Sequence, residues 1–203
     1  MLSSRLKESS LADNAASWLI KKRPGANAQS NGAGRPLTDE ELLAWIAEVT
    51  GCRIPDAAVC PGHDAPAAMV CDLFFHRITD ALALASRGGG KTFDIAALHL
   101  ANARWKPGHE TSHFGAIDPQ AHRAYGYYLQ GLRSPALRQM APDPHIRETR
   151  WANGSWIEIL PGTEAQTQGG HPMLVTYDEL ESGKYQPYEN AKAMPAEWQD
   201  NGH

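Results

Sequence analysis

The chain has 203 residues, of which 42% are hydrophobic and 21% are charged, and its formal net charge is −4. This balance is typical of a soluble globular protein that is long enough to bury one substantial core. No apolar run reaches the roughly 18 residues of a membrane span, the first residues lack the apolar core of a signal peptide, and three cysteines argue against a disulfide framework. We therefore expect a cytoplasmic protein, and the net charge leaves nucleic-acid binding open.

The N-terminal segment is expected to lie apart from the main domain. Residues 1–22 carry apolar side chains at near-helical spacing, which predicts a short amphipathic helix. Residues 24–36 are rich in Gly, Pro, Asn and Ser, which predicts a flexible linker. We therefore divide the chain into an N-terminal helix with its linker, residues 1–36, and a domain that spans residues 37–203.

Two helices are predicted at the start of that domain. The first begins after Thr38, because Thr38-Asp-Glu-Glu41 has the form of a capping box, and it ends before Gly51. The second spans about Ala67–Arg77 and follows a turn-rich segment, Cys60–Pro66. Both helices have apolar faces that can pack beside a neighbouring strand.

The cysteines and histidines of this region raise the question of a zinc site. Cys60 and His63 have a Cys-x-x-His spacing, and Cys52, Cys71 and His76 lie nearby in the sequence. A second closely spaced ligand pair is missing, so buried or incidental cysteines are the favoured interpretation. Zinc binding by Cys60 and His63 stays an open alternative.

The segment Asp80–Thr92 combines a short apolar run, three glycines and a Lys-Thr pair. It predicts a strand over about residues 80–85, then a loop, then a helix over Phe93–Leu100 into which the Lys-Thr pair leads. Consecutive glycines let backbone N–H groups surround a phosphate, and the helix N-terminus adds partial positive charge. Lys91 would reach the β- and γ-phosphates and Thr92 a magnesium ion, although Ala85 departs from the pattern G-x-x-x-x-G-K-[ST]. A glycine-rich turn before a surface helix is the alternative.

The elements downstream continue an alternation of strands and helices. Strands are predicted at about 113–117 and 156–160, with a helix at about 121–132 between them. An exposed connection with several arginines, residues 133–147, follows that helix. The Asn-Gly pair at 153–154 predicts a hairpin turn ahead of the second strand.

A last predicted strand, residues 173–177, ends in two adjacent acids, Asp178 and Glu179. This is the form of a Walker B segment, in which Asp178 would hold the magnesium shell and Glu179 would polarise the attacking water. An acidic pair after a strand is also common in loops, so the motif gains weight from its order after the glycine-rich loop. The alternation predicts an α/β fold with a mainly parallel sheet, flanking helices and ligands at the strand carboxyl ends.

Four segments together resemble the N-terminal packaging ATPase of the large subunit of phage terminases. They are Cys60–Pro66, Ser86–Thr92, Asn153–Leu160 and Met173–Glu179, and they occur in the family's order. The resemblance covers about residues 38–195, and its most specific part is Ser-Arg-x-x-Gly-Lys-Thr together with Asp-Glu. The family's Walker A motif often lacks its first glycine, so the resemblance also accounts for Ala85.

The resemblance implies a P-loop NTPase of the ASCE or RecA-like type that uses ATP and Mg²⁺ and is incomplete at its C-terminus. It also implies that Glu179 is the catalytic base and that Arg87 acts in cis on the γ-phosphate, where such an arginine is worth on the order of 10³ to 10⁵ in rate. The implied nucleotide-binding residues are Ser86, Arg87, Gly88, Gly89, Gly90, Lys91 and Thr92, and the implied magnesium ligands are Thr92 and Asp178.

The implied partners are double-stranded DNA, a portal protein and a small terminase subunit. The resemblance further implies a homo-oligomeric ring on the portal, in the host cytoplasm at the procapsid and without a membrane. Two features depart from the family: Gln168-Gly169 replaces an Arg-Gly pair, and the chain ends before the expected coupling strand and nuclease domain. The alternatives are another nucleic-acid-dependent motor, such as a helicase, and an incomplete fragment that only binds.

Overall fold

The computed structural model describes residues 34–58, 61–86, 88–141, 144–163, 171–180 and 185–195. The predicted N-terminal helix and nearly all of the predicted linker lie outside these ranges. In chain order the elements are α1 (Asp39–Thr50), α2 (Pro66–Phe74), α3 (Lys91–Trp105), β1 (Glu110–Gly115), α4 (Asp118–Leu132), β2 (Glu148–Arg150), β3 (Trp156–Pro161), β4 (Leu174–Asp178) and α5 (Tyr185–Lys192). The described residues thus form an α/β fold, with a mixed but mostly parallel four-stranded sheet and five flanking helices. Within the same ranges, no helix combines the length and the apolar character that crossing a membrane requires.

The sheet has the strand order β2-β3-β1-β4. The central strand β1 pairs in parallel with β3 on one side and with β4 on the other, whereas β2 pairs with β3 in antiparallel fashion. Gly115, at the end of β1, lies opposite Pro161 of β3 and Asp178 of β4. The carboxyl ends of the three parallel strands therefore share one edge of the sheet, and this edge carries the acidic pair.

Apolar side chains cover both faces of the sheet. On one face, Ile157 and Ile159 of β3 pack in a buried cluster that includes Tyr128 of α4. On the other face, Phe114 of β1 packs with Ala191 of α5 and with Met194, just after that helix. Burial of one such side chain contributes roughly 1.5–3 kcal/mol. These two apolar layers therefore fix the helices against the two faces of the sheet.

Helix α1 begins and ends as its sequence predicts, with one change at the cap. Thr38 Oγ1 accepts a hydrogen bond from Glu41 N at 3.2 Å, which is the first half of a capping box. Glu41 Oε2 accepts from Leu37 N at 2.7 Å, so the glutamate reaches one residue further back than predicted. Gly51 closes the helix in a left-handed backbone with a φ of 74°, a conformation that glycine adopts readily.

Helix α2 ends at Phe74, earlier than the predicted end at Arg77. The reason is His76, whose left-handed backbone with a φ of 55° cannot continue a right-handed helix. Arg77 N then donates to Asp72 O at 2.8 Å and closes the helix end. The Arg77 guanidinium pairs with Asp39 and Asp72, so the shortened helix is joined to the start of α1.

The strand predicted over residues 80–85 is wrong. Residues 80–86 have no strand conformation and are all exposed, with Leu82 at 73% and Leu84 at 86% exposure. Among the described strands, β4 pairs only with β1, so the segment has no neighbour in the sheet. Alanine is depleted in strands, and an extended segment without a neighbour gains no ladder of hydrogen bonds. The Ala-Leu alternation alone is therefore insufficient to add it to the sheet.

The other predicted strands and the hairpin are confirmed, with shifted ends. In the hairpin, Trp151 N donates to Ser155 O at 2.7 Å, and Gly154 makes the turn with a φ of 85°. The predicted strands at 113–117, 156–160 and 173–177 correspond to Glu110–Gly115, Trp156–Pro161 and Leu174–Asp178.

Candidate functional site

The glycine-rich loop requires glycine at each of its three positions. Gly88 and Gly90 have left-handed backbones, with φ of 78° and 87°, which residues with a Cβ rarely adopt. Gly89 N donates to Ser86 O at 3.0 Å. A Cβ on Gly89 would lie 2.9 Å from both Ser86 O and Ala85 Cβ, so no side chain fits there. The loop is a tight backbone turn that leads directly into α3.

The N-terminus of α3 and the side chain of Lys91 both lie beside the glycine-rich loop. Gly90 is the N-cap of α3, and no side chain of the described residues bonds to its first N–H groups. These groups carry the positive end of the helix dipole and commonly bind anions. Lys91 Nζ donates to Ala85 O at 2.9 Å, so the lysine side chain crosses the loop. Loop backbone, helix N-terminus and ammonium group therefore lie together.

The two sequence motifs meet through one hydrogen bond. Thr92 Oγ1 donates to Asp178 Oδ2 at 2.8 Å, although the two residues are 86 positions apart. Asp178 ends β4 and is only 4% exposed. Its second carboxylate oxygen, Oδ1, accepts from Glu179 N at 3.0 Å. The chain therefore orients both carboxylate oxygens, and the hydroxyl and carboxylate form an oxygen donor set of the kind that Mg²⁺ prefers.

Glu179 follows Asp178 in a left-handed backbone with a φ of 56°. For a residue with a side chain, such a backbone costs on the order of 1 kcal/mol or more and is found preferentially at functional sites. The turn takes the chain out of the sheet directly after β4 and leaves Glu179 partly buried beside the strand end. The sequence predicted the acidic pair, but nothing in the sequence indicated a left-handed backbone at Glu179.

Two buried histidines lie behind the Thr92–Asp178 contact. Thr176 Oγ1 is 2.9 Å from His99 Nε2 and 2.8 Å from His113 Nδ1. Burial lowers the pKa of His99 well below its ordinary value. Burial also lowers the pKa of His113, to about 4, against a smaller opposing effect of the Asp178 charge. Both imidazoles are therefore neutral at pH 7, and the sequence analysis missed both of them.

Asp94 is a further acidic group near the loop that the sequence analysis missed. It lies in the first turn of α3 and is buried. Burial raises the pKa of its carboxyl to about 7. Acidic residues are common in the first turn of a helix, where they complement the dipole. The residue type at this position therefore carries no signal that it is buried.

Part of the predicted site lies outside the described residues. Arg87, Cys60 and the Gln168-Gly169 pair are in the ranges that the structure does not describe. The cis-acting arginine therefore stays a prediction, and zinc binding by Cys60 and His63 stays an open alternative. Within the described ranges, no group of three or more His, Cys, Asp and Glu side chains could hold a metal ion. Cys71 is buried, and burial raises the pKa of its thiol to about 12, which keeps the thiol protonated.

Comparison with known proteins adds no family to this geometry. No protein-family model matches the chain, and no curated protein matches it at a significant level. The resemblance to terminases therefore stays a prediction.

Proposed function

We propose that this chain is an ATP-binding and ATP-hydrolysing domain of the P-loop NTPase type, the motor of a viral DNA-packaging terminase large subunit. The observation that carries the proposal is the 2.8 Å hydrogen bond from Thr92 Oγ1 to Asp178 Oδ2. In P-loop enzymes the hydroxyl of the loop and the Walker B carboxylate share one magnesium ion. A chance glycine turn and a chance acidic pair would have no reason to meet through these two groups.

The surroundings of that contact fit a nucleotide with Mg²⁺. The positive φ of Gly88 and Gly90 and the lack of room for a Cβ beside Gly89 keep the loop in a tight backbone turn before the helix, the kind of loop that binds phosphate in P-loop proteins. The first N–H groups of α3 have no side-chain cap among the described residues. Thr92 and Asp178 offer oxygen atoms, which are the ligands that Mg²⁺ prefers.

Each residue then has a defined task. Lys91, which bonds to Ala85 O at 2.9 Å, would exchange that carbonyl for the β- and γ-phosphates. Thr92 and Asp178 would hold the magnesium ion, which supplies neutralisation of phosphate charge. Glu179 would orient a water molecule and accept its proton. Arg87 would stabilise charge on the γ-phosphate, as the resemblance implies.

The proposed partners follow from the resemblance alone. They are double-stranded DNA as the translocated substrate, a portal protein and a small terminase subunit as contacts, and further copies of the chain in a ring. The proposed location is the host cytoplasm at the procapsid. The support for these partners is the order and content of the four segments quoted in the sequence analysis.

A second candidate function is nucleotide binding without productive turnover. The observation that favours it is the exposed segment before the loop, residues 80–86, which pairs with no described strand. A loop whose N-terminal side is not held by a sheet can bind phosphate through its glycines and helix. The same loop is then less able to hold the γ-phosphate in one position relative to Glu179.

The test is Mg-ATP binding by calorimetry and phosphate release, on the unaltered chain and two variants. Lys91→Ala should lose most binding, because the ammonium contributes charge directly to the phosphates. Glu179→Gln should keep binding and lose turnover by at least about 10²-fold, the scale of a general base.

Two matched controls separate these effects from general charge changes. Lys192→Ala and Glu40→Gln alter exposed residues at other places in the chain, so both should behave like the unaltered protein. Binding without turnover in the unaltered chain would favour the second candidate. Absence of Mg-ATP binding would contradict both candidates.

A further inference from the structure

Two side-chain hydrogen bonds connect helix α3 to strand β4. The first is the Thr92–Asp178 hydrogen bond at the site. The second lies behind it, where His99 of α3 and Thr176 of β4 meet at 2.9 Å. His99 is two helical turns after Thr92, about 10 Å along α3, and Thr176 is on the same face of β4 as Asp178, about 7 Å back. Both hydrogen bonds therefore connect the same face of β4 to α3, one at the site and one further from it.

Thr176 also contacts the central strand. His113 of β1 lies opposite Thr176 in the sheet register, and its Nδ1 is 2.8 Å from the Thr176 hydroxyl. One hydroxyl thus contacts a helix residue and a strand residue at once. Since both histidines are buried, these hydrogen bonds form away from competing water, where loss of a partner is most costly.

The hydrogen-bond directions follow from the donors present. A hydroxyl donates one hydrogen bond, so it can donate to one neutral imidazole and accept from the other. His113 Nε2 is buried without a hydrogen-bond partner among the described residues. An unpaired N–H is rarer in proteins than an unpaired acceptor, so the His113 proton belongs on Nδ1. His113 then donates to Thr176, and Thr176 donates to His99 Nε2.

We propose that Thr176 is a positioning residue: the sheet already joins β4 to β1, and the Thr176 hydroxyl ties β4 to α3 so that Asp178 stays beside Thr92. A bound ion would compete with the Thr92–Asp178 hydrogen bond for the oxygen atoms of both side chains. The hydrogen bonds of Thr176 use neither of those side chains, so a bound ion would leave them in place. The positioning itself is a property of the nucleotide-free chain, and only its effect on turnover rests on the proposed function.

The first test uses the nucleotide-free protein and NMR at neutral pH. Thr176→Val keeps the side-chain shape and removes the hydroxyl, whereas Thr176→Ser keeps the hydroxyl. Thr149→Val is the matched control, because it removes a buried threonine hydroxyl 2.7 Å from Tyr125 Oη on the far strand β2. The readouts are the ring nitrogen signals of His99 and His113 and the carboxyl carbon signal of Asp178.

We expect both rings to be protonated on Nδ1 in the unaltered chain. Thr176→Val should shift all three signals, whereas Thr176→Ser and Thr149→Val should leave them close to their original positions. An Asp178 signal that Thr176→Val does not move would overturn the proposal, and so would His99 and His113 signals that it leaves unchanged. Neither outcome depends on whether the chain binds ATP.

The second test uses turnover. Thr176→Val should raise the Mg²⁺ concentration for half-maximal phosphate release about tenfold, on the scale of a lost buried hydrogen bond. Thr176→Ser should restore it to within about twofold, and Thr149→Val should not change it. An unchanged Mg²⁺ requirement in Thr176→Val would overturn the proposal. An unaltered chain without ATPase activity would instead contradict the proposed function, and the NMR test would still decide the role of Thr176.

Discussion

Strand β4 and the segment Asp80–Ser86 lead into the two halves of the proposed site, and they reach it in different ways. β4 pairs with β1 along its whole length, and Val175 and Tyr177 pack against a buried cluster around Phe114. Residues 80–86 are exposed and pair with no described strand. The acidic half of the site is therefore positioned by the sheet, whereas the loop is positioned by its own turn and by α3.

The comparison shows what an apolar run needs in order to become a strand. Both runs alternate or cluster apolar residues over a similar length, but only one has a neighbour with free N–H and C=O groups and an apolar surface to cover. Loop geometry can form without either, because Gly88, Gly89 and Gly90 depend on local backbone angles and close contacts.

The largest expected effect is on the packed side. Phe114→Ala should reduce the free energy of unfolding by about 3–5 kcal/mol, because it leaves a cavity where a fully buried ring packs against Met194. Chemical denaturation measures this loss. Phe114→Leu, which fills more of the space, should lose less. A loss below about 1 kcal/mol in Phe114→Ala would contradict a packed β1–β4 layer.

The pH dependence of stability is the next largest effect. Burial, with the Lys106 and His76 charges adding to it, lowers the pKa of His109 from 6.5 to about 3. Between these values the unfolded chain binds a proton and the folded chain does not, so stability falls as pH drops from 6.5. Binding of this one proton by the unfolded chain lowers the free energy of unfolding by about 1.4 kcal/mol per pH unit.

His109→Gln removes the contribution of His109 to the pH dependence of stability. The variant should show a shallower loss of unfolding free energy between pH 6.5 and 4 than the unaltered chain, with little difference in slope above pH 7.5. Denaturation at a series of pH values measures both slopes. Equal slopes in the acid range would mean that His109 is accessible to protons in the folded protein.

The glycine-rich loop is expected to affect nucleotide binding. Gly89→Ala should weaken Mg-ATP binding at least tenfold, or about 1.4 kcal/mol, because its Cβ would lie 2.9 Å from Ser86 O and Ala85 Cβ. Gly126→Ala is the matched control, since a Cβ there meets nothing within 4 Å. Equal binding by the two variants would show that the loop does not approach the nucleotide.

The smallest expected effect is on the exposed segment. Leu84→Ser should change the unfolding free energy by no more than about 0.5 kcal/mol, because the side chain is 86% exposed and surface substitutions seldom do more. Thermal or chemical denaturation is sufficient to measure this. A loss above about 1 kcal/mol would show that Leu84 is buried in solution. The segment before the loop would then be packed, as β4 is.

Local chemistry made parts of the fold predictable from sequence. The Thr38 cap and the Gly51 stop depend on a few neighbouring residues, and both are found where the sequence predicts them. The Asn-Gly hairpin turn is equally local, and the glycine-rich loop before Lys91 follows the same logic. The acidic pair was recognisable because it comes directly after an apolar strand.

What sequence could not predict depends on partners distant along the chain. The absence of a strand at 80–85 follows from the missing neighbour, which no local pattern reports. The meeting of His99, His113 and Thr176 requires that α3, β1 and β4 are already assembled. The left-handed backbone of Glu179 likewise follows from the end of the sheet and not from a preference of glutamate.

If Thr92 and Asp178 hold one magnesium ion beside a bound nucleotide, the two side chains contribute to one and the same interaction. The most direct measurement is calorimetric titration of Mg-ATP into the unaltered chain, Thr92→Val, Asp178→Asn and the double variant. We expect each single change to weaken binding about tenfold or more, and the double variant to be little weaker than the worse single one, because ligands of one ion are not additive. Independent, additive losses, or an unaltered chain that does not bind Mg-ATP, would contradict the account.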